Sequence, residues 1–282
     1  MERDINNKIL TDTTCPVCGF ESFDGSGCLG NYPLRKCIKC GLVYSPDAFF
    51  EKVDYTGIYD TPEYISSHLD TLERMSVSDF KRIVTFAPFF EHLSKPRGRK
   101  LLDVGCGVGR FGRAAANEGW DVTGIDISAR AVEIGSQNAG FPMLNKSLEE
   151  IRDEGHKYDV LTSFEVLEHL KTPVEFLRTC FDVLAPDGEI FLTVPNWDCP
   201  EVQNSTEKDC VPPVHLLYFT VGSLQSAVER AGFRVLHCGI IHSYPTVKIF
   251  KPRTAAGWVS GKLKGLRNSP IGLYIHAAGR QV

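Results

Sequence analysis

Three glycines that lie between two aspartates form the part of this sequence with the clearest chemistry. Asp103 precedes Gly105, Gly107 and Gly109, and Asp126 lies nineteen residues after Gly107. Because glycine has no Cβ, a turn built from these residues lets a ligand approach the backbone closely. The helix expected after the turn would point its free amides at the ligand, and Asp126 would accept hydrogen bonds from both ribose hydroxyls of an adenosine. The spacing predicts a nucleotide site.

Two classes of nucleotide cofactor fit this spacing. Gly107, Gly109 and Gly112 match the GxGxxG dinucleotide fingerprint, and Asp126 lies at about the 20-residue distance expected of its ribose acid. Asp103 separates the two classes, because a carboxylate at the end of a strand repels a pyrophosphate but holds the ammonium group of an amino-acid cofactor, directly or through water. The sequence therefore favours S-adenosylmethionine over a nicotinamide dinucleotide. A glycine turn that binds nothing is the remaining alternative.

Four cysteines give a second chemical signal near the N-terminus. Cys15 and Cys18 form one C-x2-C pair, and Cys37 and Cys40 form another, with eighteen residues between the pairs. This spacing is typical of a tetrahedral zinc site, and four thiolates leave no open position on the ion. We therefore predict a structural zinc ribbon. Redox-active dithiols and unliganded core cysteines are the alternatives.

Two of the eight histidines lie where a catalytic base is needed. Transfer of a methyl group from a sulfonium is an in-line displacement that depends mainly on alignment and on exclusion of water. A hydroxyl acceptor also needs a base with a pKa near neutrality, for which histidine is the natural choice. His169 follows an apolar strand and His215 opens a loop before a helix predicted at residues 221–232. Both are expected at the ligand-facing edge of the sheet.

The elements that must position these residues alternate between strands and helices. Strands are predicted at residues 101–104 and 120–126. Residues 157–170 are predicted to form a strand that leads into a helix, and residues 184–197 a turn that leads into another strand. Such alternation implies right-handed crossovers and a mostly parallel sheet with helices on both faces. With 282 residues, of which 43% are hydrophobic, the chain can bury an α/β core and still carry additions.

Three segments are predicted along the chain. Residues 1–47 form the zinc ribbon, residues 48–97 form a helical cap or linker, and residues 98–282 form the α/β domain with a basic C-terminal segment. In the middle segment, Thr61 and Pro62 mark the start of a helix. Apolar residues then recur at helical spacing at Ile65, Leu69, Leu72, Val77, Phe80 and Ile83. This face is expected to pack on the sheet edge.

Charge and hydropathy restrict the partners. The net charge of −4 argues against extensive binding to nucleic acid. No run of about eighteen apolar residues and no basic-then-apolar leader occurs, so a cytoplasmic protein is expected. After Glu229 no acidic residue follows, while cations accumulate at Lys248, Lys251, Arg253, Lys262, Lys264, Arg267 and Arg280. They form either a solvated face or a weak contact with a membrane surface or an anionic substrate.

The run from Asp103 to Gly109, an acid, one residue and then GxGxG, resembles the first motif of the class I S-adenosylmethionine-dependent methyltransferases. The resemblance covers residues 98–240, with a core similar to the ubiquinone-pathway and type 23 methyltransferases. It implies an α/β fold with a doubly wound, Rossmann-like sheet of seven strands, of which the last is antiparallel. Residues 233–239 and 273–277 would be the sixth and seventh strands.

The resemblance also implies roles along the donor pocket. In order from the methionine end of S-adenosylmethionine to its adenine, the contacting residues would be Asp103, Gly105, Gly107, Gly109, Asp126, Ile127, Leu148 and Glu149. Glu165 would close the pocket. In the family the segment before the first strand covers the donor, which would bring Tyr55 or Tyr59 near the sulfonium.

The pattern E-x-x-E-H followed by a distant histidine resembles the ubiquinone-pathway O-methyltransferases and the small-RNA 2′-O-methyltransferases, in which such residues hold a divalent metal. Glu165, Glu168, His169 and His215 are the matching residues here and are the candidate catalytic residues. Three alternatives follow for them. They supply a metal-free histidine base, they hold a second divalent metal that lowers the pKa of the acceptor hydroxyls, or they serve the structure alone.

A zinc ribbon joined to such a core resembles enzymes that modify sugars and polysaccharides. We therefore predict an S-adenosylmethionine-dependent methyltransferase that acts on an oxygen of a small molecule, a sugar or a glycan. The alternative is a zinc-ribbon protein that binds nucleic acid, or an RNA methyltransferase. Few cations accompany the cysteines, namely Arg35, Lys36 and Lys39, so nucleic acid is the less expected partner.

Overall fold

The computed structural model describes residues 14–63, 65, 83, 85–93, 98–242 and 269–279. Its strands are β1 (Phe23–Leu29), β2 (Tyr32–Cys37), β3 (Val43–Tyr44), β4 (Lys100–Val104), β5 (Asp121–Asp126), β6 (Met143–Asn145), β7 (Tyr158–Phe164), β8 (Leu184–Pro195), β9 (Leu217–Tyr218), β10 (Phe233–Ile241) and β11 (Gly272–Gly279). Its helices are α1 (Tyr55–Tyr59), α2 (Ala87–His92), α3 (Arg110–Asn117), α4 (Ala129–Ser136), α5 (Leu148–Asp153), α6 (Pro173–Val183), α7 (Pro200–Gln203) and α8 (Val221–Arg230). Short 3-10 helices lie at Asp47–Phe50 and Leu167–His169.

Seven strands form one sheet in the order β10-β11-β8-β7-β4-β5-β6. The pairs from β8 to β6 are parallel, whereas β11 is antiparallel to both of its neighbours. The predicted doubly wound α/β fold is therefore confirmed, including the single reversed strand. The strands expected at residues 233–239 and 273–277 are β10 and β11, each a few residues longer than predicted.

Apolar layers cover both faces of this sheet. Adjacent residues of β4 belong to different layers, because side chains alternate along a strand. Leu101 packs with Phe89 and Phe111 on one face, while Leu102 packs with Leu224 and other residues on the opposite face. This two-sided burial explains why the strand is an uninterrupted apolar run rather than an alternating one.

The prediction that β7 leads directly into a helix was wrong. Residues 165–170 do not continue β7 as an α-helix but form a 3-10 turn at Leu167–His169, and the helix α6 begins only at Pro173. Glu165 has a φ of 56°, which is outside the helical region. The chain therefore turns sharply at the end of β7, and Glu165, Glu168 and His169 lie in this turn.

A second, four-stranded sheet has the order β1-β2-β3-β9. Its first three strands come from the cysteine-containing segment, and β9 comes from the loop after His215, where a direct entry into a helix was expected. Cys15, Cys37 and Leu42 belong to the same apolar cluster as Leu192 of the large sheet. The cysteine segment therefore shares its core with the α/β domain.

Parts of the predicted cap and C-terminal segment fall outside the described residues. Residues 62, 63 and 65 are helical, and the amide of Ile65 donates to the carbonyl of Thr61. The remainder of the expected helix, at Leu69, Leu72, Val77 and Phe80, is not described, nor are the cations after Glu229 named above, so their roles stay predictions. Of the helices that the structure describes, none is both long and apolar enough to cross a bilayer.

Candidate active site and cysteine cluster

The glycine turn follows β4 directly and opens a cavity at the carboxyl edge of the sheet. The amides of Gly105 and Cys106 both donate to the carbonyl of Ile125, at 2.9 and 3.1 Å, and so fold the turn over the end of β5. Gly107 has a φ of 53°, and a Cβ built on it meets no atom within 4 Å. The space beside Gly107 is open to a ligand, and α3 begins three residues later with its amides facing that space.

The third glycine of the dinucleotide fingerprint serves packing. A Cβ on Gly112 would lie 2.3 Å from the Cζ atom of Phe141. Contact between α3 and this ring therefore accounts for Gly112 without any pyrophosphate. The glycines that line the cavity are Gly105 and Gly107, which belong to the Asp103 motif. The third glycine of a dinucleotide site also packs, so Gly109, the second glycine, decides between the two cofactor classes. Gly109 does not line the cavity, and a Cβ on it would lie 3.1 Å from the side chains of Ala139 and Met143, so the backbone there is not open to a pyrophosphate. This placement favours the amino-acid nucleoside over the dinucleotide.

Two carboxylates flank the glycine turn. Asp103 is buried, and its Oδ1 accepts a hydrogen bond of 2.9 Å from the hydroxyl of Thr162. Burial raises the pKa of Asp103 to about 7, so an ammonium group placed beside it would lower that pKa and be held in return. The oxygens of Asp126 accept 2.8 Å hydrogen bonds from the amides of Gly107 and Ser128. A carboxylate has about four acceptor positions, so Asp126 keeps capacity for ribose hydroxyls.

The predicted adenine contacts lie beyond Asp126 along the same cavity. Ile127 lines it and is 66% exposed, which is unusual for a large apolar side chain and leaves its surface available to a planar base. Leu148 and Glu149 also line the cavity, at the start of α5. The side chain of Asn145, which the sequence did not single out, donates to the carbonyls of Asp126 and Ile127 at 2.9 and 3.0 Å and fixes this loop.

The predicted catalytic residues also line this cavity, which has a volume of about 660 Å³. Glu165 accepts a 2.9 Å hydrogen bond from the hydroxyl of Thr193, and burial raises its pKa to about 7. Glu168 is fully buried, and neither of its carboxylate oxygens has a hydrogen-bond partner among the described residues. Burial, reinforced by Glu165, raises the pKa of Glu168 well above its usual range.

Two imidazoles face the Glu168 carboxylate. The Nε2 atoms of His169 and His215 lie 3.8 and 3.9 Å from Oε1 of Glu168. The Nδ1 atom of His169 lies 3.0 Å from the carbonyl of Val214, so Nδ1 carries the proton and Nε2 is the free acceptor. Burial lowers the pKa of His169, and it lowers that of His215 to about 3. Both rings are therefore neutral near pH 7.

The aromatic residues of α1 lie against these histidines. The rings of Tyr55 and Tyr59 approach His169 edge to face, with centroids 5.6 and 5.9 Å apart. The Tyr55 hydroxyl lies 3.1 Å from the carbonyl of His169 and 3.2 Å from that of Val214. Both tyrosines line the cavity, and Tyr55 also orders the loop that carries His215.

Glu168, His169 and His215 form a set of side chains that fits a divalent cation. Their ligand atoms lie within 4.8 Å of one another, and the unpartnered oxygens of Glu168 are the groups that a cation would satisfy. The tie from His169 Nδ1 to a backbone carbonyl is the usual second contact of a metal-binding histidine. The same hydrogen bond is equally compatible with a metal-free base, because it leaves Nε2 of His169 unprotonated.

The four predicted cysteine ligands also meet. Their sulfurs lie within 4.8 Å of one another, with Cys15 and Cys40 separated by 3.6 Å and Cys18 and Cys37 by 3.5 Å. A tetrahedral zinc ion with about 2.3 Å bonds separates its sulfurs by about 3.8 Å. The cluster therefore has the dimensions of a four-thiolate zinc site.

Two residues of the cavity gave no signal in the sequence. Asp209 and Cys210 line the cavity, and they come from the loop between α7 and β9. Cys210 is half-buried, and burial together with Asp209 raises the pKa of its thiol to about 12. Neither residue belongs to a recognisable motif. Only the return of this loop to the edge of the sheet brings them to the site.

Comparisons with known proteins agree with this geometry. A family model described as a methyltransferase domain matches residues 78–238, which is more than half of the chain. A ubiquinone biosynthesis O-methyltransferase of Haemophilus ducreyi is 38% identical over 109 residues, covering 35% of this chain and 46% of that protein. The chain thus spans about half the length of the curated relatives it matches. A solved S-adenosylmethionine-dependent methyltransferase of Archaeoglobus fulgidus has the same fold, with a TM-score of 0.53 and 19% identity over 75% of this chain and 99% of that one.

Proposed function

This chain belongs to the methyltransferase-domain family and has the fold of the class I S-adenosylmethionine-dependent enzymes, and we propose that it methylates an oxygen of a small hydroxylated molecule. One observation carries the proposal. A single cavity is lined both by the aspartates Asp103 and Asp126 and by the histidines His169 and His215. A donor held by the two aspartates therefore shares one cavity with a candidate base, as methyl transfer to an oxygen requires.

Donor binding is assigned to the glycine turn and its two flanking aspartates. Asp103 faces the ammonium group, the backbone near Gly107 faces the methionine portion, and Asp126 with Ile127 faces the adenosine. The H. ducreyi relative is named an O-methyltransferase of ubiquinone biosynthesis, which supports a small hydroxylated acceptor. A sugar or glycan acceptor has no such support.

His169 is assigned as the base. Its Nε2 would take the proton of the acceptor hydroxyl while the oxygen forms a bond to the methyl carbon and the carbon–sulfur bond breaks. The electrons of that bond stay on sulfur, which becomes a neutral thioether. The carbonyl of Val214 stabilises the resulting imidazolium, because it accepts the hydrogen bond from Nδ1.

A divalent cation on Glu168, His169 and His215 is a second candidate for the same step, favoured by the unpartnered oxygens of Glu168. When bound, such a cation would lower the pKa of an acceptor hydroxyl. The two candidates differ in their response to EDTA. Protein whose cysteine site is loaded loses activity with EDTA, and regains it with Mg²⁺ or Mn²⁺, only if this cation is used.

We also propose that Cys15, Cys18, Cys37 and Cys40 hold one structural zinc ion, since four thiols so close together, three of them buried, require a cation once they ionise. Native mass spectrometry or elemental analysis is expected to find about one zinc per chain. The variant Cys40→Ser is expected to lose it, whereas Cys28→Ser is the matched control, because Cys28 is exposed and outside the cluster. Absence of zinc from the purified protein refutes the assignment.

The activity itself is tested with S-adenosylmethionine labelled on its methyl group. Transfer of label to catechols and other small hydroxylated compounds is expected, and transfer to RNA is not. Binding of S-adenosylhomocysteine in a calorimeter checks the donor site without any acceptor. Binding of a nicotinamide dinucleotide in its place contradicts the proposal.

Replacement of Asp126 by asparagine is expected to weaken binding of S-adenosylhomocysteine by about tenfold to a hundredfold. The physical reason is loss of a charged acceptor, worth about 1.5–3 kcal/mol. Calorimetry measures the effect. Asp121→Asn, at the exposed start of the same strand, is the control and is expected to bind normally. Unchanged affinity in Asp126→Asn contradicts the assignment of the ribose contact.

A further inference from the structure

The second C-x2-C pair lies against the acceptor side of the molecule. We name residues 37–41 the second cysteine turn. The amide of Cys37 donates to the carbonyl of Leu42 at 2.8 Å, so the turn leads without a linker into β3. Val43 and Tyr44 of β3 then pair antiparallel with Tyr218 and Leu217 of β9. The turn is therefore one short strand away from the segment that follows His215.

Strand β9 is tied to the acceptor site through the main chain. The amide of Leu216 donates to the carbonyl of Glu168 at 2.9 Å. The buried Tyr218 lies with its hydroxyl 3.3 Å from the carbonyl of His215. Because His215 lies two residues before β9, a shift of β9 moves its imidazole relative to Glu168.

The second cysteine turn also touches the start of α8. Thr220 is the N-cap of this helix, and its hydroxyl accepts from the amide of Ser223. A Cβ built on Gly41 would lie 3.0 Å from that hydroxyl oxygen, and one built on Gly222 would lie 3.5 Å from the carbonyl of Cys40. The second cysteine turn therefore packs against the start of α8 at both Thr220 and Gly222.

The first C-x2-C pair provides an internal comparison. Gly19 follows it as Gly41 follows the second pair, and the two glycines have similar φ angles of 69° and 81°. A Cβ built on Gly19 meets no atom within 4 Å. A substitution at either glycine therefore introduces similar backbone strain. Only the Cβ added at Gly41 would also contact Thr220, on the acceptor side of the molecule.

We propose that the second cysteine turn, held by the metal on the four cysteines, is a positioning element of the acceptor site: it fixes β9 and the start of α8, and through them the loop that carries His215. This inference rests on the metal and acceptor assignments of the proposed function. It gives the cysteine segment a role in shaping the pocket without any contact to the acceptor.

Hydrogen exchange of the full chain with and without metal tests the proposal. After the metal is removed under reducing conditions, amide exchange at residues 215–220 is expected to become at least about tenfold faster, while residues 101–109 and 121–126 of the donor side stay protected. Unchanged exchange at residues 215–220 overturns the proposal. Faster exchange everywhere also overturns it, because the metal would then stabilise the whole fold and would not act specifically on the acceptor site.

The variants Gly41→Ala and Gly19→Ala sharpen the test while the metal stays bound. Gly41→Ala is expected to speed exchange at residues 216–219 by about tenfold and to shift the histidine side-chain NMR signals assigned to His169 and His215. Gly19→Ala is expected to do neither. Equal effects of the two variants overturn the proposal, and if Gly41→Ala does not fold, the comparison of metal-bound and metal-free protein decides.

Calorimetry with S-adenosylhomocysteine separates this inference from the proposed function. Donor binding in the presence and absence of metal, with faster exchange in the cysteine segment and at residues 215–220 but not on the donor side, supports the positioning role. Normal donor binding with unchanged exchange refutes that role alone. Lack of donor binding in the metal-loaded wild type refutes the proposed function instead.

Discussion

Replacement of His169 by alanine is expected to lower turnover by about 10²–10⁴-fold and to leave the affinity for S-adenosylhomocysteine within about twofold. The first number is the usual contribution of a general base. Donor affinity is retained because His169 is not among the groups assigned to the donor, which are Asp103, Asp126 and the glycine turn. Turnover is measured from labelled methyl groups transferred to an acceptor found in the assay above.

The pH dependence gives an independent measure of the same role. A base must be neutral to accept a proton, so kcat/KM is expected to be constant at high pH and to fall as the pH drops through the pKa of His169. Since burial lowers this pKa from its ordinary value near 6.5, the fall begins below that pH. A rate that instead falls on the alkaline side of neutrality contradicts a histidine base.

His156→Ala is the matched control for this variant. His156 is 62% exposed, and its nearest charged partner is Glu154, 3.6 Å away. Its removal is expected to change neither turnover nor donor affinity. Turnover in His169→Ala and in His215→Ala that equals the wild-type value would remove both histidines from the chemistry.

Replacement of Phe89 by alanine is expected to lower the free energy of unfolding by about 3–5 kcal/mol. Phe89 is fully buried, and its ring contacts those of Phe111, Trp120 and Phe191 at centroid distances of 4.9 to 5.7 Å. These residues come from α3, from the residue before β5, and from β8. The substitution leaves a cavity between α2 and the sheet that cannot collapse without moving three elements.

Urea denaturation measures the effect of Phe89→Ala. Phe50→Ala removes the same side chain from a position that is 72% exposed, and a change within about 0.5 kcal/mol is expected. A loss below about 1 kcal/mol for Phe89→Ala would show that α2 does not contribute to the core in the way its contacts indicate.

The donor half of the site was predictable from the sequence because it is local. Asp103, Gly105 and Gly107 lie within five residues of one another, and a buried strand that enters a glycine turn fixes their geometry almost without tertiary help, whereas Gly109 packs against Ala139 and Met143 and does not line the cavity. Asp126 ends the next strand, and neighbouring parallel strands bring their carboxyl ends to one edge. The cysteine cluster was predictable for a similar reason, since each C-x2-C pair is a single turn.

The acceptor half was only partly predictable. The sequence predicted that His169 and His215 lie at one edge of the sheet, and both line the cavity. It did not predict the hydrogen bond from His169 Nδ1 to the carbonyl of Val214, which leaves Nε2 as the acceptor nitrogen. The 3-10 turn at Leu167–His169 replaced a predicted helix because the positive φ of Glu165 redirects the chain, and this conformation has no sequence marker. Asp209 and Cys210 reach the cavity through a loop whose path depends on contacts distant in sequence.

The sequence by itself determined the α/β order, the donor turn and the four cysteines, because periodic apolar residues, glycines and short ligand spacings act over a few residues. Only the tertiary structure decided that β9 completes the cysteine sheet and that one apolar core joins this sheet to the large one. Two residues of β9 pair with two of β3 across more than 170 positions. So short a pairing leaves no periodic pattern to detect, and it is selected by packing around Tyr218 and Leu217 once both sheets exist.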